Sequence, residues 1–100
     1  MNKDLQIAKK TVQTEIQSLK KLLKSFNNSS QFSKAVNLIS KVKGKVVVIG
    51  TGKSFIIGNK ISSTLSSLGT PSVAFESSSL NHGSIGSIQK GFDVLLIFSV

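Results

Sequence analysis

The chain has no cysteine, which excludes a disulfide framework, a zinc–thiolate site and thiol catalysis. It has no arginine either: all 13 basic residues are lysine. Bidentate guanine readout and planar phosphate clamps favour arginine, so a nucleic-acid partner is not expected. Long apolar runs are missing. The longest are residues 46–49 and 94–98, far below the roughly 18–20 residues that cross a bilayer. No membrane partner is expected. Residues 1–10 lack the apolar core of a signal peptide, so the expected location is the cytoplasm. Charged residues make up only 17%, too few and too weakly patterned for a disordered tail or a long coiled coil.

What is present is enough for one small domain: 100 residues, 39% of them apolar. The net charge of +9 is the extreme feature, and it is unevenly placed. Residues 1–45 hold ten lysines against Asp4 and Glu15, a net +8, and residues 46–100 carry only +1. Lysine alone makes a diffuse positive field, read here as a solvated face. The competing reading is docking on nucleic acid or anionic lipid, whose signature is strong salt dependence.

Leu5, Ala8, Val12, Ile16, Leu19, Leu23 and Phe26 step by three and four, which predicts an amphipathic helix with its lysines toward water. Asn27-Asn28-Ser29-Ser30 breaks it, and Ser29 or Ser30 suits the next cap. Phe32, Ala35, Val36, Ile39 and Val42 form a second stripe, with Gly44 placed to stop it. Lys45-Val46-Val47-Val48-Ile49 then reads as a strand buried on both faces. Ile57, Ile61, Leu65 and Leu68 predict a third helix, with Ser62, Ser63, Ser66 and Ser67 alongside. Gly69-Thr70-Pro71 ends it before a strand from Ser72 to Phe75 or Glu76. Residues 77–90 are polar, with room for one short helix, and residues 93–98 are a third buried strand. The order α-α-β-α-β-α-β argues an α/β fold with a parallel sheet and helices on both faces.

In such a sheet, ligands sit outside the carboxyl ends of the strands. Gly50-Thr51-Gly52-Lys53-Ser54 is the most informative of these ends. Its glycines allow close backbone approach, the following helix N-terminus favours an anion, Lys53 adds charge, and Ser54 is a candidate cap and hydroxyl donor. The plain alternative is a turn that merely turns. The loop is neither a Walker A nor a G-x-G-x-x-G fingerprint, since Val47 and Phe55 stand where glycines would be needed. His82, the single histidine, sits in a polar loop. It suits either proton transfer near neutral pH or an ordinary surface position. Glu76 ends a strand at the ligand edge, whereas Asp93 starts one at the opposite end, where a capping or surface role is expected.

Taken together, Gly44-Lys45-Val46-Val47-Val48, Gly50-Thr51-Gly52-Lys53-Ser54, Ile57-Gly58-Asn59-Lys60, Gly69-Thr70-Pro71 and His82-Gly83-Ser84-Ile85-Gly86 resemble the start of a sugar isomerase (SIS) domain. The resemblance is to the KpsF/GutQ group, the D-arabinose 5-phosphate isomerases, and covers essentially the whole chain. It implies a three-layer, flavodoxin-like parallel sheet, entered here through two leading helices (1–43) and represented by its first part (44–100). It also implies a phosphosugar partner, no redox cofactor and a homo-oligomer. The implied reaction interconverts D-ribulose 5-phosphate and D-arabinose 5-phosphate, in the supply of a lipopolysaccharide sugar.

Carried over by position, Lys53 and His82 match active-site residues, and Gly52, Ser54, Gly69, Thr70 and His82 match substrate contacts. Glu76 stands where many members have a metal-binding histidine. The chain departs from the family pattern at Phe55, Ile56, Ser79 and Ser84. The family's third strand runs on into a phosphate-binding S-N-S-G-E loop, where this sequence reads Ser99-Val100. The resemblance therefore implies a piece truncated after the third strand, with the general-base residues beyond it. A non-catalytic phosphosugar-binding SIS module is the alternative. Regulators of that kind carry a helix-turn-helix, for which the stripe from Leu5 to Phe26 is too long.

Overall fold

The computed structural model describes residues 2–28 and 30–99, without the side chains of Asn28 and His82. The chain forms two compact units, residues 1–34 and 35–100. The division falls within a helix, ahead of the 43/44 boundary expected from the sequence.

The first unit is dominated by helix α1, Lys3–Ser25. Asn2 caps it, its Oδ1 accepting the Asp4 N–H at 2.7 Å, as a short amide side chain does at a helix start. Thr11, Thr14 and Ser18 donate their hydroxyls to carbonyls four residues back. A 3₁₀ turn, Phe26–Asn28, follows, and Phe26 meets Phe32 with ring centroids 5.1 Å apart. None of the residues of α1 is buried. Helix α2 runs Ser30–Ser40. Ser30 is its first residue and not its cap, and Ser29 lies outside the described residues.

The second unit holds a three-stranded parallel sheet of β1 (Val46–Gly50), β2 (Ser72–Glu76) and β3 (Val94–Ile97), in the order β2-β1-β3. Val46 pairs with both Ser72 and Val94, so the three strands start level. Every residue of β1 is buried. That explains its unbroken β-branched run: a central parallel strand is covered on both faces. The arrangement agrees with a flavodoxin-like α/β SIS sheet through its third strand.

Helix α3, Lys53–Ser67, connects β1 to β2. Its apolar stripe meets the sheet only in part, through the half-buried Ile61 and Leu65. Ile57 is 60% exposed and Leu68 79%, while Gly58 and Ser62 are the buried residues. A Cβ on Gly58 would come within 2.7 Å of Val48 Cγ1 and 3.1 Å of Phe98 Cδ2. Small residues let the helix approach that closely. Ser62 bonds the Ser72 hydroxyl at 2.8 Å, and Ser72 donates onward to the Val46 carbonyl at 2.8 Å. The serine cluster expected beside the stripe thus supplies part of the helix–sheet seam.

Residues sharing a register position share a face in a parallel sheet. Val47, Ile49, Val73, Phe75, Leu95 and Ile97 therefore line the face turned away from α3. An open hollow of about 620 Å³ lies there, with Leu80, Ile85 and Ile88 among its walls. Leu95 and Ile97 remain 47% and 61% exposed. The segment from β2 to β3 contains two 3₁₀ turns, Ser77–His82 and Ser84–Ser87, in place of the one short helix expected.

Candidate functional site

At the carboxyl edge, β1 ends in Gly50 and the chain turns at once into α3. A Cβ on Gly50 would lie 2.8 Å from the Phe55 nitrogen, so no larger residue fits under the first turn of the helix. Gly52 caps α3 with φ 58° and ψ −126° and makes no side-chain cap bond. This backbone suits glycine alone. Ser54 is inside the helix, its N–H donating to the Thr51 carbonyl at 3.1 Å. The expected capping role of Ser54 is therefore not the one it has: Gly52 holds that position. Lys53 is the first helical residue and is exposed. The turn thus presents a mobile ammonium and the positive end of a helix dipole at the same edge.

Glu76 pairs in register with Gly50, which puts the end of β2 beside this turn. The two loops are tied directly, since the hydroxyls of Thr51 and Ser77 share a short hydrogen bond. Ser79 Oγ donates to the Glu76 carbonyl at 2.7 Å and steadies the start of the following turn. His82 closes that 3₁₀ turn, with Gly83 at φ 103° behind it. On the other side of β1, the Phe98 N–H donates to the Ile49 carbonyl at 2.8 Å. Order β2-β1-β3 makes the gap between β1 and β3 the switch point at which such sheets bind ligands.

Gly69 and Thr70 are elsewhere. They follow the C-terminus of α3, whose 15 residues span about 22 Å at ~1.5 Å per residue. There the Thr70 N–H donates to the Leu65 carbonyl and the Gly69 N–H to the Ser66 carbonyl. With Gly69 at φ 99°, this is a Schellman stop. Within this chain, Gly69 and Thr70 stand at the amino edge, apart from Gly52, Lys53 and Ser54. Their local geometry is explained by ending a helix.

Asp93 is also at the amino edge, as expected, but it is not a surface residue. Its side chain is 2% exposed and pairs with Lys45 Nζ at 2.9 Å. It accepts the Gln89 N–H at 2.7 Å and the Lys45 N–H at 2.9 Å. Lys45 Nζ also reaches the Ser87 carbonyl at 2.7 Å. The Gln89 backbone bond, then the Lys45 side chain and backbone, lower the Asp93 carboxyl to about 2. Gly44 belongs to this clip: α2 has already ended at Ser40, and a Cβ on Gly44 would run into the Asp93 carboxylate and the Phe92 carbonyl. Sequence reasoning missed the clip, although a lysine and an aspartate each sit one residue ahead of an apolar strand; β3, expected to be buried like β1, alternates half-buried and exposed residues.

Among the described residues, no group of three His, Cys, Asp or Glu lies close enough to hold a metal ion. The described carboxyl edge offers Glu76 as its one such donor.

No protein-family model matches the chain. Curated proteins do. It is 40% identical over 84 residues to the arabinose 5-phosphate isomerase KpsF of Escherichia coli O6:H1 strain CFT073, covering 84% of this chain and 24% of that protein. It is 40% identical over 92 residues to KdsD of Pseudomonas aeruginosa, also an arabinose 5-phosphate isomerase, covering 92% and 27%. The chain is a homologue of the KpsF/GutQ arabinose 5-phosphate isomerases. A solved E. coli CFT073 structure in complex with arabinose 5-phosphate superposes with a TM-score of 0.85 at 31% identity, covering 99% of this chain and 52% of that one. The chain spans about a quarter of the length of these curated isomerases. No described helix is long and apolar enough to cross a membrane.

Proposed function

We propose that this chain carries part of a cytoplasmic phosphosugar site for the interconversion of D-ribulose 5-phosphate and D-arabinose 5-phosphate, in the supply of a lipopolysaccharide sugar. The observation that carries this reading is the likeness, over 99% of the chain, to a structure in complex with arabinose 5-phosphate. In this reading the leading helices (1–43) precede the first part of a SIS domain (44–100). Gly52, Lys53 and Ser54 hold the anionic end of the sugar at the head of α3. Aldose–ketose isomerisation takes a proton from C2 of the aldose, passes through an enediol and returns a proton to C1. His82 is assigned to that acid–base work, with Lys53 beside it. Glu76 closes the floor of the site.

Gly69 and Thr70 reach substrate in this reading only if a second copy brings them to its neighbour's site. That supports a homo-oligomer, as does the exposure of Leu95 and Ile97 on β3, the outer strand. A non-catalytic phosphosugar-binding module is the second reading. It is favoured by an edge that presents a glycine turn and a lysine but a single described carboxylate side chain, Glu76.

The test is calorimetric titration of the 100-residue chain with arabinose 5-phosphate, alongside deuterium uptake at C2 of the sugar in D₂O. We expect binding, an oligomer by light scattering, and little net turnover. Deuterium uptake supports the isomerase, and binding without uptake supports the module. Absence of binding overturns both, and normal turnover overturns the claim that further general-base groups are required.

A further inference from the structure

We propose that Thr51 and Ser77 are positioning residues: the bond between their hydroxyls fixes the turn that carries Lys53 against the end of β2 that carries Glu76. Gly50 and Glu76 are the last register pair of β1 and β2, so Thr51 and Ser77 occupy the next rung. Past that point the two strands part. One chain turns at Gly52 into α3, and the other enters the 3₁₀ turn Ser77–His82. The hydroxyl–hydroxyl bond thus adds a side-chain rung where the backbone ladder ends.

The glycine turn has little else to hold it. Thr51 stands between Gly50 and Gly52 and supplies the only side chain among them. Glycine backbone is the most freely varied of any residue, the space beside Gly52 is open, and the start of α3 has no side-chain cap bond. The Thr51 carbonyl accepts the Ser54 N–H, and the Gly52 carbonyl accepts those of Phe55 and Ile56. What moves Thr51 therefore moves the first turn of α3, and Lys53 with it. Threonine suits this position, because its β-branch restricts χ1 and aims the hydroxyl in advance. On the other side the anchor is firm. Ser77 is half-buried, and the Ser79 hydroxyl ties back the Glu76 carbonyl. The inference rests on the phosphosugar reading of this edge and gives it a consequence: a turn ordered beforehand loses less freedom when the sugar arrives.

Amide hydrogen exchange and calorimetry on the full chain test this with Thr51→Val, Ser77→Ala, the double variant and Thr51→Ser. The Ser54 amide is the reporter, because it donates to the Thr51 carbonyl. Thr51→Val and Ser77→Ala should each speed its exchange and weaken arabinose 5-phosphate binding, both about fivefold, the scale of one hydrogen bond. The double variant should lose no more than either single one, as members of one pair do. Thr51→Ser should restore both readouts. The Thr70 amide, bonded to the Leu65 carbonyl at the amino edge, should be unmoved throughout. Unchanged Ser54 exchange after Ser77→Ala overturns the proposal, and so do additive losses. Affinity that falls in Thr51→Val but not in Ser77→Ala also overturns it, making the Thr51 hydroxyl a direct ligand contact. A lowered unfolding midpoint with unchanged affinity overturns it in favour of a purely structural bond. A parent chain that binds no arabinose 5-phosphate overturns the phosphosugar reading, and Ser54 exchange then decides by itself whether the bond fixes the turn.

Discussion

At the amino edge of the sheet, polar groups are spent on holding the chain together. Asp93 gathers Gln89 and Lys45, Lys45 reaches Ser87, and Gly69 and Thr70 stop α3. At the carboxyl edge, Gly52 and Lys53 form an open turn beside Glu76, cross-linked through Thr51 and Ser77. The two edges divide the labour. A buried, multiply bonded carboxylate fixes where strands begin, and an exposed lysine on a glycine-capped helix stays available to an anion. Two lysines flanking β1, Lys45 just before it and Lys53 shortly after, thus do opposite work.

Breaking the amino edge at Asp93 gives the largest effect. Asp93→Ala leaves the Gln89 and Lys45 donors without their acceptor, and losing several hydrogen bonds to one charged group is destabilising. Thermal or urea unfolding should show the largest loss among the changes considered for either edge. The same carboxylate sets an acid limit. Its pKa is lowered from 3.8 to about 2 in the folded chain, so its contribution is fully present above the unfolded value and is lost as pH falls through the interval toward 2. Unfolding midpoints of the parent chain should drop over that interval, and Asp93→Asn should flatten the drop.

A smaller effect is expected at Gly69. Alanine there must adopt φ 99°, a left-handed conformation that costs an L-residue about 1–2 kcal/mol. Urea titration checks the loss. If Gly69 acts only as a helix stop, arabinose 5-phosphate affinity of the folded variant is unchanged. A drop in affinity that tracks oligomer formation would instead bring Gly69 into a neighbour's site.

Lys53→Ala should move stability least, within about 0.5 kcal/mol, since exposed side chains away from packing rarely do more. Its effect belongs to binding: calorimetry should read roughly a tenfold loss of affinity, the scale of one charge-assisted hydrogen bond. A destabilised Lys53→Ala chain with unchanged affinity would erase the contrast between the edges.

Much of the fold was legible along the chain. The run Val46–Ile49 has no polar alternation because β1 is covered on both faces, and the glycine-rich turn after it follows from the βα connection. The positions of Lys53 and Glu76 at one edge follow from parallel strands alone. Periodicity, however, records only that a face is apolar and not what covers it. Tertiary structure decided that Gly58 and Ser62, not Ile57 and Leu68, meet the sheet, because close approach rewards small residues and a paired hydroxyl. It also decided that Gly69 and Thr70 stand a helix length from Gly52, since residues on either side of a crossover helix reach opposite edges. And it decided that Lys45 and Asp93, 48 residues apart in the chain, form one clip, because level parallel strands bring their leading residues side by side.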